Sequence, residues 1–206
     1  RDWSSDVCSS DLDFAPLTIV GAQALVVTVH PSLKANTIQE LITLARKTPI
    51  SVALATPAST GALATELFKM ITQTTQMTTV PFKGGGPAVI ALLSGDVQGL
   101  FATPPDVIPQ IKAGKLRAIG VTSKARMPQL PEVPTLTEQG VQELDAAPWY
   151  GMVAPAKMPR PAFDKLYQQL MLICKMPDVR ERLYVSGTNV VDRKSTRLNY
   201  SHVSES

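Results

Sequence analysis

The sequence predicts an α/β fold built on parallel sheets. Short apolar, β-prone runs alternate with helical patterns along most of the chain, and the loops that lead from run to helix consist of small residues. Aromatic residues make up only 5% of the 206 residues against 44% hydrophobic, so the core must rest on aliphatic packing.

Taken in order, residues 25–29 form a continuous apolar run that suits a buried strand. Thr37 and Glu40 have the spacing of a capping box, followed by Leu41, Ile42, Leu44 and Ala45 at helical spacing, with Pro49 ending the helix. Residues 50–55 read as the next strand. A small polar loop then leads into a helix carrying Leu63, Leu67, Met70 and Ile71. A strand over 78–82 and a turn over 83–86 follow, with Pro87 at the first helical position and a stop near Gly95. Residues 97–101 predict a strand, 106–113 a helix halted by Gly114, and 116–121 another strand. A proline-rich stretch over 123–140 precedes a strand over 149–154 that suits a crossover between lobes. Residues 163–175 are amphipathic, with Phe163, Leu166, Leu170 and Ile173 on one face. Pro177 opens a last short helix, and 189–191 predict a final strand.

Both ends break this pattern. Residues 1–12 and 192–206 lack periodicity and are rich in serine and charge. One stretch of DNA can encode 2–12 on one strand and, on its reverse complement, a peptide matching 192–201 except at Tyr200. The two ends therefore read as translated adapter scars and stand outside the fold. Cys8 falls in the first of them, which leaves Cys174 without a disulfide partner and reads it as a small buried hydrophobe.

Several function classes are disfavoured. The net charge of +3 is small and the basic residues are scattered, unlike the stripe that nucleic acid requires. No apolar run approaches the roughly 20 residues of a membrane-spanning helix. His30 stands alone with no serine elbow, and no cluster has metal-ligand spacing, so neither an enzyme nor a cofactor is expected. Trp149 and Tyr150 read as core or hinge packing.

Three loops remain as candidates, each between a strand and a helix: Thr56-Pro57-Ala58-Ser59-Thr60-Gly61, Lys83-Gly84-Gly85-Gly86, and Ala102-Thr103-Pro104-Pro105. In an α/β sheet such loops gather at the carboxyl ends of the strands, where ligands bind. Free N–H groups and the helix dipoles favour an anion there, and small residues let it approach the backbone. The loops carry no acidic residue, which argues against a cation. The candidate ligand-binding residues are Thr56, Ala58, Ser59, Thr60, Gly61, Lys83, Gly84, Gly85 and Thr103. The plainer alternatives are a helix cap for Ser59 and Thr60, a solvated side chain for Lys83 and a tight turn for the glycines.

At these loops the chain resembles a known family. The residues that carry the resemblance are 80–88 (VPFKGGGPA), 92–97 (LLSGDV), 111–121 (IKAGKLRAIGV), 130–140 (LPEVPTLTEQG) and 153–156 (VAPA), with 13–17 (DFAPL) and 177–183 (PDVRERL). The chain is similar to the Bug family, the periplasmic receptors of tripartite tricarboxylate transporters. The resemblance implies a two-lobed, type II periplasmic-binding fold that closes on a small carboxylic acid and hands it to a membrane permease, as a monomer in the periplasm. It implies lobe 1 over 13–36 and 146–191, incomplete because the family's first strand, loop and helix precede residue 13, and lobe 2 over 37–145. It also implies ligand contacts at 56–61 and 83–85, with Thr103 as a further candidate. Two other functions fit the same architecture: the ligand-sensing domain of a regulator, and a two-lobed enzyme.

Overall fold

A computed structural model describes residues 13–142, 144 and 146–190. The end segments read as scars lie outside the described residues. The chain divides into two compact units: unit 1 holds 13–22, 149–184 and 188–190, and unit 2 holds 23–148 with 185–187.

Unit 2 contains a five-stranded sheet in the order β4-β3-β5-β2-β6, formed by β2 (Val26–Val29), β3 (Ile50–Leu54), β4 (Met77–Pro81), β5 (Gly99–Ala102) and β6 (Arg117–Val121). β3 runs parallel to β4 and β5, as crossover helices require. The sheet is nevertheless mixed and not parallel throughout, because β2 lies antiparallel between β5 and β6. All four residues of β2 are buried. That pairing also places 23–36 in unit 2, whereas the sequence reading put this segment with the first lobe.

The helices of unit 2 cover both faces of the sheet. On one face α1 (Ile38–Ala45) and α2 (Thr60–Thr72) pack Ile38, Leu41, Ala64 and Phe68 against Leu25, Val27 and Phe101. On the other, α3 (Gly85–Ser94) and α4 (Pro104–Lys112) pack Ala88, Leu92 and Val107 against Val26, Leu100 and Val121. Both faces are apolar because strands with helices on each side have no wet surface.

Local chemistry fixes where these helices start. The Glu40 N–H donates to Thr37 Oγ1 at 3.1 Å, while the Glu40 carboxylate accepts from the Asn36 N–H at 2.6 Å. The capping box thus closes one residue before the cap. α3 starts two residues ahead of Pro87, which occupies its third position, where a missing N–H also costs nothing. α4 starts at Pro104, ahead of Asp106. The face that α2 buries also differs from the expected one. Ala62, Ala64, Thr65, Phe68 and Thr72 are inside, while Leu63 and Met70 are 67% and 74% exposed.

The proline-rich segment is held by buried polar groups. Thr122 Oγ1 accepts from the Leu25 N–H at 2.9 Å and donates to the Ala146 carbonyl at 2.8 Å. Gln139 accepts from the Ile38 N–H and donates to the Ile119 carbonyl, both at 2.8 Å. These bonds tie Thr122, Gln139 and Ala146 to the sheet that carries the candidate loops and to α1 beside it.

Unit 1 is a three-stranded sheet in the order β7-β1-β8, with β1 (Phe14–Gln23), β7 (Trp149–Pro155) and β8 (Thr188–Val190), and two helices, α5 (Arg160–Ile173) and α6 (Pro177–Val185). β1 and β7 pair antiparallel. The sequence reading has no strand here; Pro16, unfavourable inside a strand, sits at a register shift, one of the few places a sheet admits proline. The expected apolar face of α5 is not buried: Leu166 and Ile173 are exposed, and Phe163 and Leu170 half-buried. Trp149 and Tyr150 are likewise exposed and not core. Cys174 is buried after α5, and burial pushes its thiol pKa up.

Candidate functional site

The carboxyl ends of β3, β4 and β5 lie at one edge of the unit 2 sheet and lead into α2, α3 and α4. A pocket of about 320 Å³ opens there. Its wall is formed by Ala58, Ser59, Thr60 and Gly61 from the first loop, Gly85 from the second, and Ala102, Thr103 and Asp106 from the third. Leu25, Leu100 and Phe101 form an apolar floor, with Ala55 and Pro148 beside them. The volume falls at the lower end of the range for small-molecule sites, which runs from roughly 300 Å³.

Donors at the three helix starts differ. In α2, Ser59 Oγ accepts from the Ala62 N–H at 3.1 Å and the Ser59 carbonyl accepts from the Leu63 N–H. The N–H groups of Thr60 and Gly61, first in the helix, have no recorded partner among the described residues. In α3 the Gly84 N–H donates to the Ala55 carbonyl at 2.6 Å, and Pro87 has no N–H, so Gly85 and Gly86 hold the donors left unpaired among the described residues. α4 contributes none at its first two positions, because both are proline. The third loop therefore supplies a dipole but not the free N–H groups expected of it.

The hydroxyls are also less available than their types suggest. Ser59 Oγ donates to the Thr56 carbonyl at 2.8 Å while capping α2. Thr103 Oγ1 donates to Asp106 Oδ2 at 2.6 Å. Both protons are committed to the loops themselves, so Ser59 and Thr103 face the pocket without a free donor. Thr60 stands at the wall with its N–H unpaired among the described residues.

Six of the nine candidate residues come together at this wall: Ala58, Ser59, Thr60, Gly61, Gly85 and Thr103. Thr56, Lys83 and Gly84 do not line it. The carbonyl of Thr56 receives both the hydroxyl and the N–H of Ser59, Lys83 projects into solvent, and Gly84 ties the second loop to the first. Gly84 has φ of 122°, a conformation open to glycine and strained for other residues.

Asp106 was missed: the three loops carry no acidic residue, but this one, in the first turn of α4, lines the pocket they form. Among the described lining residues it is the one ionisable side chain. Its signal was present: Thr103-Pro104-Pro105-Asp106 has the spacing of Ser/Thr-x-x-Asp/Glu at a helix start. Among the described residues, no group of three or more His, Cys, Asp or Glu is placed to hold a metal ion.

Comparison with known proteins identifies the family and the fold. Residues 8–203, a span reaching into both end segments, match the family described as tripartite tricarboxylate transporter family receptor. Protein BugT of Bordetella pertussis is 38% identical over 145 residues, covering 69% of this chain and 44% of that protein. A UPF0065 protein of Agrobacterium vitis is 33% identical over 175 residues, covering 84% and 48%. The chain thus spans about half the length of these curated relatives.

Solved structures give the same picture. Rpa4515 of R. palustris, solved with adipate, superposes with a TM-score of 0.80 at 29% identity, over 86% of this chain and 60% of that one. MatC of Rhodopseudomonas palustris, solved with bound malate, gives 0.78 at 26%, over 86% and 60%. The periplasmic binding protein BugD gives 0.77 at 28%, over 91% and 63%. These are two-lobed binding proteins, and the family is one of solute-binding receptors and not of enzymes. The chain belongs to the tripartite tricarboxylate transporter receptor family, the Bug-type solute-binding receptors.

Proposed function

We propose that this chain captures a small carboxylic acid through the pocket at the starts of α2 and α3, in the periplasm, and presents it to the permease subunits of a tripartite tricarboxylate transporter. The observation that carries this reading is the set of backbone donors at Thr60, Gly61, Gly85 and Gly86 left unpaired among the described residues, two of whose residues line the pocket from one helix start and a third from the other. Amides at helix starts hold a carboxylate without any arginine or lysine, because the hydrogen bonds are charge-assisted and the dipole favours the anion. The apolar floor of Leu25, Leu100 and Phe101 suits a hydrocarbon chain attached to that carboxylate. That adipate and malate accompany two of the similar structures supports the same ligand class. Thr56, Ala58, Ser59, Lys83, Gly84 and Thr103 then shape and position the loops around the ligand.

Titration of the 206-residue chain with mono- and dicarboxylates, followed by ¹⁵N NMR, tests this reading and detects even millimolar binding. The expected result is saturable shifts of the Thr60, Gly61 and Gly85 amides. Carboxylates that leave those amides in place while shifting others would move the site elsewhere, and no shift at any amide would overturn the assignment.

A further inference from the structure

We infer that Asp106 is a specificity-determining residue, which makes the pocket favour a monoanionic acid whose far end donates a hydrogen bond over an acid carrying a second carboxylate. The inference rests on the reading of the pocket as a carboxylate site and concerns the other end of the ligand.

Two helix starts with free N–H groups reach this pocket, but they are not equivalent. At α2 the atoms nearest a Cβ placed on Gly61 are the Phe101 carbonyl oxygen and the Ser59 hydroxyl, with no carboxylate among them. At α3 the chain supplies its own anion: a Cβ placed on Gly85 would meet Asp106 Oδ2 at 2.8 Å, so the carboxylate already fills the space beside that residue. Thr103 Oγ1 holds the same oxygen at 2.6 Å, which fixes the group against the wall. Among the described residues no lysine or arginine lines the pocket to neutralise it. The charge pattern is therefore polar end to end, a positive helix start at α2 and a full negative charge where α3 and α4 begin.

A ligand carboxylate seated on Thr60 and Gly61 fits that pattern. A second carboxylate reaching toward Asp106 meets a like charge, and the repulsion near a protein surface is worth about tenfold in affinity once solvent screening is allowed for. A hydroxyl in the same place donates to Asp106 Oδ1, the carboxylate oxygen that Thr103 does not hold. The gap left by a glycine at position 85 is what lets the carboxylate lie this close, so Gly85 and Asp106 act together.

The test compares adipate with 6-hydroxyhexanoate, equal in chain length and differing in the far end. Both are titrated into the full chain and into the D106N variant, which keeps the size of the side chain and an acceptor for Thr103, with amides away from the pocket reporting that the fold is unchanged. The expected result is a roughly tenfold preference for 6-hydroxyhexanoate in the unaltered chain, lost in D106N mainly through tighter adipate binding. A preference that is the same in both proteins, or that favours adipate in the unaltered chain, overturns the inference while leaving the carboxylate site standing. Failure of both acids to move the pocket amides in either protein overturns the carboxylate reading itself, and this inference with it.

Discussion

Gly61 lies against the carbonyl oxygen of Phe101 so closely that a Cβ at position 61 would stand 2.7 Å from it. The first turn of α2 and the end of β5 meet backbone to backbone, and this contact sets where the Thr60 and Gly61 amides stand in the pocket. Gly61→Ala pits two effects against each other. Alanine in a helix is favoured over glycine by about 0.5–1 kcal/mol. The clash is with a backbone atom that cannot rotate away, and overpacking of this kind costs about 1–3 kcal/mol. The strain wins, so the variant is expected to unfold at lower urea concentration and to bind carboxylates more weakly. An increase in stability would show that the helix can slide off β5 at little cost.

Further along the same helix, Phe68 is fully buried and its ring meets that of Phe101 at 5.5 Å between centroids, tilted by 57°. Phe68→Ala should cost about 3–5 kcal/mol, the range for deleting a buried aromatic ring. Leu63→Ala, one turn from the pocket but 67% exposed, should stay within about 0.5 kcal/mol. Equilibrium denaturation of the two variants checks the contrast, and equal losses would place Leu63 in the core.

This pair also explains what the sequence made legible and what it hid. The alternation of strand and helix was readable, because apolar runs and small-residue loops punctuate the chain at regular places. The buried face of α2 was not. Leu63, Leu67, Met70 and Ile71 form a helical stripe, but so do Ala64, Thr65, Phe68 and Thr72, and only the second lets the helix approach the sheet as closely as Gly61 requires. Threonine faces the core here because Thr65 Oγ1 donates to the Gly61 carbonyl at 2.7 Å and Thr72 Oγ1 to the Phe68 carbonyl at 2.6 Å. A hydroxyl satisfied within its own helix loses little on burial, and hydrophobicity along the chain does not register that. At the site the loops could be located from residue types, but not which hydroxyls were already engaged. The bonds from Ser59 to Thr56 and from Thr103 to Asp106 belong to the folded loops.

Ser59 separates stability from binding. Its hydroxyl caps α2 and closes the loop onto Thr56, so Ser59→Ala should lower stability by about 1 kcal/mol, the usual worth of a lost N-cap. Its proton is already committed, so carboxylate affinity should change by less than about twofold, well below the loss of a direct hydrogen bond. The same NMR titration measures it. A tenfold loss of affinity with stability intact would mean that Ser59 turns its hydroxyl to the ligand on binding.

Glu138 makes the stability of the proline-rich clamp depend on pH. Its carboxylate accepts from the Thr135 N–H at 2.8 Å and from Arg126 Nε at 2.9 Å, and its own N–H donates to Thr135 Oγ1 at 3.0 Å. The Thr135 backbone bond and then the Arg126 side-chain bond hold its pKa below the ordinary glutamate value. A carboxylate whose pKa is lower folded than unfolded adds stability that is fully present above the unfolded value. That stability is lost as pH falls through the folded one. The turn at 135–139 matters because Gln139, beside Glu138, clamps Ile38 and Ile119. Glu138→Gln should therefore melt at a lower temperature than the unaltered chain at neutral pH, and the gap should close as pH falls below roughly 4, past the ordinary glutamate range. Melting curves of both proteins between acid and neutral pH measure the gap. A gap that stays constant across that interval would assign the effect to the lost shape of the turn and not to the charge.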